Sequence, residues 1–153
     1  MIIPAAIACF IQGPVLTTLG TRDARNRPMI ARGSGGHGLV APGRLEIAVS
    51  ASLWPETVAN LCDNGALSIT FVDPESYRAF QVKGRGALRE ADADDCARAV
   101  AYVAQLRQRL VGFGIEGSAI DFWLTARDIV MATLDVDRIF EQTPGSRAGT
   151  VVT

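Results

Sequence analysis

The residues best equipped for chemistry sit on two short segments. The first is Tyr77-Arg-Ala-Phe-Gln-Val-Lys-Gly-Arg85, which reads as a strand. Period-two alternation sends Phe80 and Val82 to one side and Gln81, Lys83 and Arg85 to the other. A row of amide, ammonium and guanidinium can hold a phosphate through charge-assisted hydrogen bonds. The same row also fits a solvated strand face. Lys83 is the only lysine among the 15 basic residues. The second segment, Val49-Ser-Ala-Ser-Leu-Trp-Pro-Glu-Thr-Val-Ala-Asn60, joins a strand end to a helix. Ser50, Ser52 and Thr57, with the free N–H groups of a helix start, form an anion cradle. Plain capping of that helix by Ser52 explains part of the pattern equally well. Trp54 lies in the same turn and suits either a cover for a planar ring or a buried anchor.

Arg32 ends another strand beside Gly33-Ser-Gly-Gly-His-Gly38. Gly33, Gly35 and Gly36 would let a ligand approach the backbone closely. The stretch is not a dinucleotide fingerprint, because it opens no helix after a strand. His37 is the only histidine. One histidine excludes any metal centre needing two His ligands, and no nucleophile-elbow motif lies near it. Chemistry in such a chain points to a borrowed cofactor.

Composition narrows the partners. A net charge of −1 over 153 residues gives no global field for nucleic acid or an anionic membrane. With 48% hydrophobic and 20% charged residues, the chain is an ordinary globular mixture, long enough to bury one core. The longest apolar run, residues 2–11, contains Pro4 and is too short to span a bilayer. No basic residue precedes it, which argues against a secretory signal. Cys9, Cys62 and Cys96 match no metal spacing and read as buried free thiols of a cytoplasmic protein.

The elements that must position these residues are mostly strands. Residues 4–12 read as a short helix stopped by Gly13-Pro14. Residues 15–21 and 28–32 form a hairpin around a polar turn. Residues 45–50 alternate Leu45, Ile47 and Val49 against Glu46, Ala48 and Ser50. A helix follows over 55–62, ended by Asn64 or Gly65 in the left-handed conformation. Strands are expected over 67–72, 77–88 and 129–136. Asp92 or Asp94 caps a helix running to about Val111, with Cys96, Ala99, Val100, Val103, Leu106 and Leu110 as its apolar face. A helical turn is expected over 119–124, and residues 140–149 read as an irregular tail that docks on something. Strands joined by turns argue for one domain of mainly β, α+β class: an antiparallel barrel with appended helices.

Together these segments resemble the pyridoxamine 5′-phosphate oxidase-like family of FMN-binding split barrels. The resemblance rests on Phe10-Ile-Gln-Gly-Pro14, Pro28-Met-Ile-Ala-Arg32, the helix ending Ala59-Asn60-Leu61, Tyr77-Arg-Ala-Phe-Gln-Val-Lys-Gly84 and the ending Phe140-Glu-Gln-Thr-Pro-Gly-Ser-Arg-Ala-Gly149. It implies a six-stranded split β-barrel that forms a homodimer with FMN at the subunit interface. Arg32, Ser50, Ser52 and Thr57 fall where that family holds phosphate or ribityl groups. Gln81 and Lys83 fall on a strand lining the same cleft. Trp54 and the tail border the ring. The function so implied is an FMN-dependent oxidoreductase acting on a small molecule. The alternatives on the same fold are a deazaflavin-dependent reductase and a flavin or haem carrier. The oxidases' C-terminal Arg-Leu-x-Pro segment is missing, so pyridoxamine phosphate is not the substrate the resemblance implies.

Overall fold

Alternation of inward apolar and outward polar side chains sets the architecture. A computed structural model describes residues 1–35 and 38–152. The order is α1 (Ala5–Ile11), β1 (Leu16–Arg22), β2 (Pro28–Arg32), β3 (Gly38–Ala41), β4 (Arg44–Ser50) and α2 (Pro55–Asn64). It continues with β5 (Ala66–Val72), β6 (Ala79–Glu90), α3 (Ala93–Gly112), α4 (Gly117–Asp121) and β7 (Ile129–Glu141). One antiparallel sheet has the order β2-β1-β5-β6-β7-β4-β3. The class is mixed α+β, as expected, but the sheet has seven strands rather than six. The extra strand is β3, which carries no alternation and pairs with β4 through a register shift between Leu39 and Ala41.

The ladder does not close into a barrel. Two backbone bonds reach from the segment after β2 to β4: Ser34 N–H donates to Ala48 O, and Ala48 N–H to Gly35 O, both at 2.7 Å. Inside, Leu19, Ile47, Ile69, Phe71, Val82, Leu134 and Ile139 are sealed from solvent. Each such side chain stabilises the fold by about 1.5–3 kcal/mol. Leu61 joins this core from α2, and Trp54 packs against it half-buried. Gly65 ends α2 at φ +63, and Gly86 N–H donates to its carbonyl.

α3 lies outside this core. Its buried face is Asp95, Ala99, Tyr102, Leu106 and Leu110, not the face containing Cys96 and Val100, both of which are exposed. The rotation is set by Asp95. Its carboxylate pairs with Arg89 and Arg98, and it completes a capping box with Asp92. These bonds hold its carboxyl down to about 2, the Arg89 hydrogen bond contributing most. All three cysteines are free but exposed, contrary to the buried thiols expected. Each lies on a helix face turned away from the sheet.

β7 runs five residues beyond the expected Val136, to Glu141. A bulge at Lys83/Gly84 keeps it paired with β6. Gly84 is required there, because a Cβ would collide with Asp135 O. The tail docks on its own chain: Gly149 N–H donates to Glu141 O, and Phe140 pairs with Val151.

Candidate functional site

Cross-strand register assembles a site that no single segment displays. Arg32 of β2, Thr18 of β1, Thr70 of β5, Gln81 of β6 and Phe140 of β7 stand in one continuous row. The next row holds Ile30, Gly20, Ser68, Lys83 and Arg138. At about 4.8 Å per strand, each row is roughly 19 Å long. The opposite faces of these strands carry the core, so the rows form the outer surface.

Hydrogen bonds fix the first row. Arg32 Nη1 donates to Thr18 Oγ1 at 2.7 Å, and Gln81 Nε2 donates to Thr70 Oγ1 at 3.1 Å. The Arg32 guanidinium also lies 5.2 Å from the centre of the Trp123 ring, which closes that end of the face. Ile30 is 58% exposed on the second row, and nothing among the described residues covers it.

Two concavities open on this surface. One, of about 580 Å³, is lined by Arg22, Ile30, Ser68, Lys83, Asp137 and Arg138 among others. Three cations face one carboxylate there, and none of Arg22, Lys83 and Arg138 takes part in an ion pair among the described residues. The other, of about 410 Å³, has Thr70, Tyr77, Gln81, Gln142 and Pro144 in its wall.

Ser50, Ser52, Trp54 and Thr57 form a separate group at the β4–α2 junction. Ser50 and Thr57 are fully buried, whereas Ser52 is exposed. Ser50 Oγ accepts from Leu53 N–H and lies 3.5 Å from Ser52 Oγ. Ser52 does not cap α2. Trp54 occupies the cap position, with no side-chain bond to the first turn. Thr57 Oγ1 is the one buried side-chain polar atom without a partner among the described residues. No hydrogen bond in the described residues joins this group to Arg32, Gln81 or Lys83.

The glycine-rich stretch is used for packing. A Cβ on Gly33 would meet Thr17 and Ile47, and one on Gly35, at φ +73, would strike the Tyr102 ring. Tyr102 Oη donates to Val15 O at 2.6 Å, and burial pushes its phenol up to about 12. Gly36 and His37 lie outside the described residues. Among the described residues, no cluster of His, Cys, Asp and Glu could hold a metal ion, and no helix is long and apolar enough to cross a membrane.

Thr18, Ser68, Thr70 and Arg138 escape a reading of the sequence segment by segment. The first three were signalled by the alternation of β1 and β5, whereas Arg138 lies beyond the expected end of β7; the register that joins them comes only from the folded sheet.

No family model and no curated protein matches the sequence. Solved structures do match. HupZ of Group A Streptococcus is 20% identical with a TM-score of 0.60, covering 96% of this chain and 99% of that one. A candidate pyridoxamine 5′-phosphate oxidase of Lactobacillus delbrueckii is 14% identical with a TM-score of 0.58, covering 91% and 93%. HutZ, a heme storage protein of Vibrio cholerae, is 19% identical with a TM-score of 0.53, covering 92% and 95%.

Proposed function

We propose that this chain, which has the split-barrel fold of the pyridoxamine 5′-phosphate oxidase-like proteins, binds FMN on the outer face of β2, β1, β5, β6 and β7 and acts as an oxidoreductase on a small molecule. The observation that carries this reading is the concavity where Arg22, Lys83 and Arg138 converge, none of them in an ion pair among the described residues. Three cations against Asp137 leave net positive charge for a phosphate, and Ser68 adds a hydroxyl beside them. The first row supplies what a flavin's polar edge needs. Thr18 and Thr70 present hydroxyl groups, and Gln81 an amide held in place by Thr70. Bound flavin supplies hydride transfer, and the chain's residues anchor and orient it.

A second copy of the chain covers this face. Ile30 and the half-exposed rows form an unfinished surface, and an isologous contact would bury it on both copies. The residues of the β4–α2 junction enter the site from there. α2 starts without a side-chain cap, and Ser52 lies exposed beside it, so the junction suits an anionic group brought by the partner.

The likeness to the heme storage protein HutZ favours a second reading, a haem carrier. A spectrum separates the two. Protein expressed with riboflavin in the medium should emerge yellow, with an oxidised-flavin band and quenched flavin fluorescence. Parallel titrations use FMN, a deazaflavin and haemin. A Soret band with no flavin uptake would move the assignment to haem, and uptake of deazaflavin alone to a deazaflavin-dependent reductase. Uptake of none of the three would end the cofactor reading.

A further inference from the structure

We infer that the concavity beneath Tyr77 binds an uncharged, planar heteroaromatic ring with an amide-like edge, as the reaction partner of the cofactor. The role as reaction partner rests on the flavin reading; the binding itself does not. Tyr77 has φ +59, a left-handed conformation that bulky residues rarely adopt, and its side chain is 65% exposed. Such a residue persists only where its surroundings over-determine it, and strain of this kind collects at ligand sites.

The surroundings do over-determine it. Asp73 O accepts from Tyr77 N–H, and Asp73 N–H donates to Arg78 O, both at 2.9 Å. The Asp73 carboxylate accepts from Ser76 Oγ and from the N–H groups of Glu75 and Ser76. Arg109 reaches across from α3 to pair with the same carboxylate at 2.7 Å. The turn is therefore clamped to a helix far along the chain, with an aromatic ring held out over an opening.

The opening has a definite chemistry. Its volume of about 410 Å³ suits one or two fused rings. Among the described residues no charged side chain lines it, so a charged ligand would be desolvated without a counter-ion. Val72 and Ala79 give an apolar floor, and Pro144 closes one side. That side is fixed, because Gln142 N–H donates to Ala79 O and Thr143 Oγ1 accepts from Ala79 N–H. Gln81 Oε1 and the Gln142 carboxamide have no hydrogen-bond partner among the described residues. A free Gln142 carboxamide and the free Gln81 Oε1, beside an aromatic wall, match a ring that carries its own donor and acceptor.

Nicotinamide is the probe and nicotinate its charged control, followed by saturation-transfer NMR and calorimetry on the full chain. Wild type should bind nicotinamide at least tenfold more tightly than nicotinate. Tyr77→Phe should retain binding, and Tyr77→Ala should weaken it tenfold or more. Tyr77→Gly should lose binding while the melting temperature rises by a few degrees, because glycine removes the left-handed strain. That opposite movement is not expected of a tyrosine that only supports the fold. Absence of nicotinamide binding to wild type, equal binding of nicotinate, or full binding by Tyr77→Ala would overturn the inference. FMN affinity is measured on the same samples. If Tyr77→Ala loses FMN in step with nicotinamide, the concavity belongs to the cofactor's own bed and the inference falls. If nicotinamide binds as described and FMN does not, the flavin reading fails and this site stands.

Discussion

Lys83 stands over the ring of Phe140, with Nζ 4.9 Å from its centroid, and Arg138 approaches the same ring to 5.9 Å. Register makes Lys83 and Arg138 direct cross-strand partners. Like charges placed opposite one another on a sheet are destabilising, and among the described residues neither has a carboxylate in an ion pair. An anion held between them would relieve that repulsion.

Lys83→Ala should therefore act in two directions. Without ligand the variant should be at least as stable as wild type. Its FMN affinity should fall by about 1.5–3 kcal/mol, roughly 10- to 150-fold, if Lys83 makes a charged hydrogen bond. Fluorescence titration measures the second effect and thermal melts the first. Unchanged affinity would remove Lys83 from the site.

Asp95 should give the fold an acid-sensitive hinge between α3 and the sheet. Its carboxyl is held at about 2 in the folded protein, chiefly by Arg89, against an ordinary 3.8. A depressed carboxyl stabilises the fold above the unfolded value and loses that contribution as pH falls through the folded one. The unfolding free energy from urea titrations should therefore drop between about pH 4 and pH 2, by roughly 1–2 kcal/mol after allowance for the partly exposed arginines. Asp95→Asn should be less stable at pH 7 and should show a shallower slope, because Asp73, Glu141 and other lowered carboxyls still contribute.

Gly35→Ala tests the glycine-rich segment as packing. A methyl group there meets the Tyr102 ring at a backbone angle of φ +73. The expected cost is about 2–4 kcal/mol in urea unfolding. Gly38→Ala, with open space around its Cβ, should cost about 1 kcal/mol or less. Tyr102→Phe should cost about 1–3 kcal/mol by leaving Val15 O unpaired. The buried phenol should also erode stability only as pH rises from about 10 through its folded value of about 12. Equal stability of the two alanine variants would contradict this account.

Ile30→Asp tests the covered face. Ile30 is 58% exposed beside the cationic concavity. If a second copy seals that surface, wild type should sediment as a dimer and the aspartate variant as a monomer at the same concentration. Identical sedimentation would separate cofactor binding from self-association.

The sheet was legible where alternation is strong. Leu45, Ile47 and Val49 announced β4, and the hairpin of β1 and β2 was framed by its polar turn. β3 was not, because Gly38–Ala41 has no alternation and is a strand only through β4. The face of α3 was misread because Asp95 looks like a surface residue. It is buried only because two arginines and a capping box meet it there. Gly33 and Gly35 looked like room for a ligand, since nothing local shows that Thr17, Ile47 and Tyr102 fill that room. In the candidate site, Gln81 and Lys83 could be picked out from one strand. Thr18 and Thr70 could not, because a threonine in a strand is unremarkable until register sets it beside Arg32 and Gln81.

The outward-turned sulfurs of Cys9, Cys62 and Cys96 have a practical consequence. Helices α1, α2 and α3 each carry a single maleimide-reactive handle. Spin labels attached one at a time, after replacing the other two by serine, would report inter-copy distances directly. Triangulation from those three vantage points would give the mutual orientation of two molecules without a crystal.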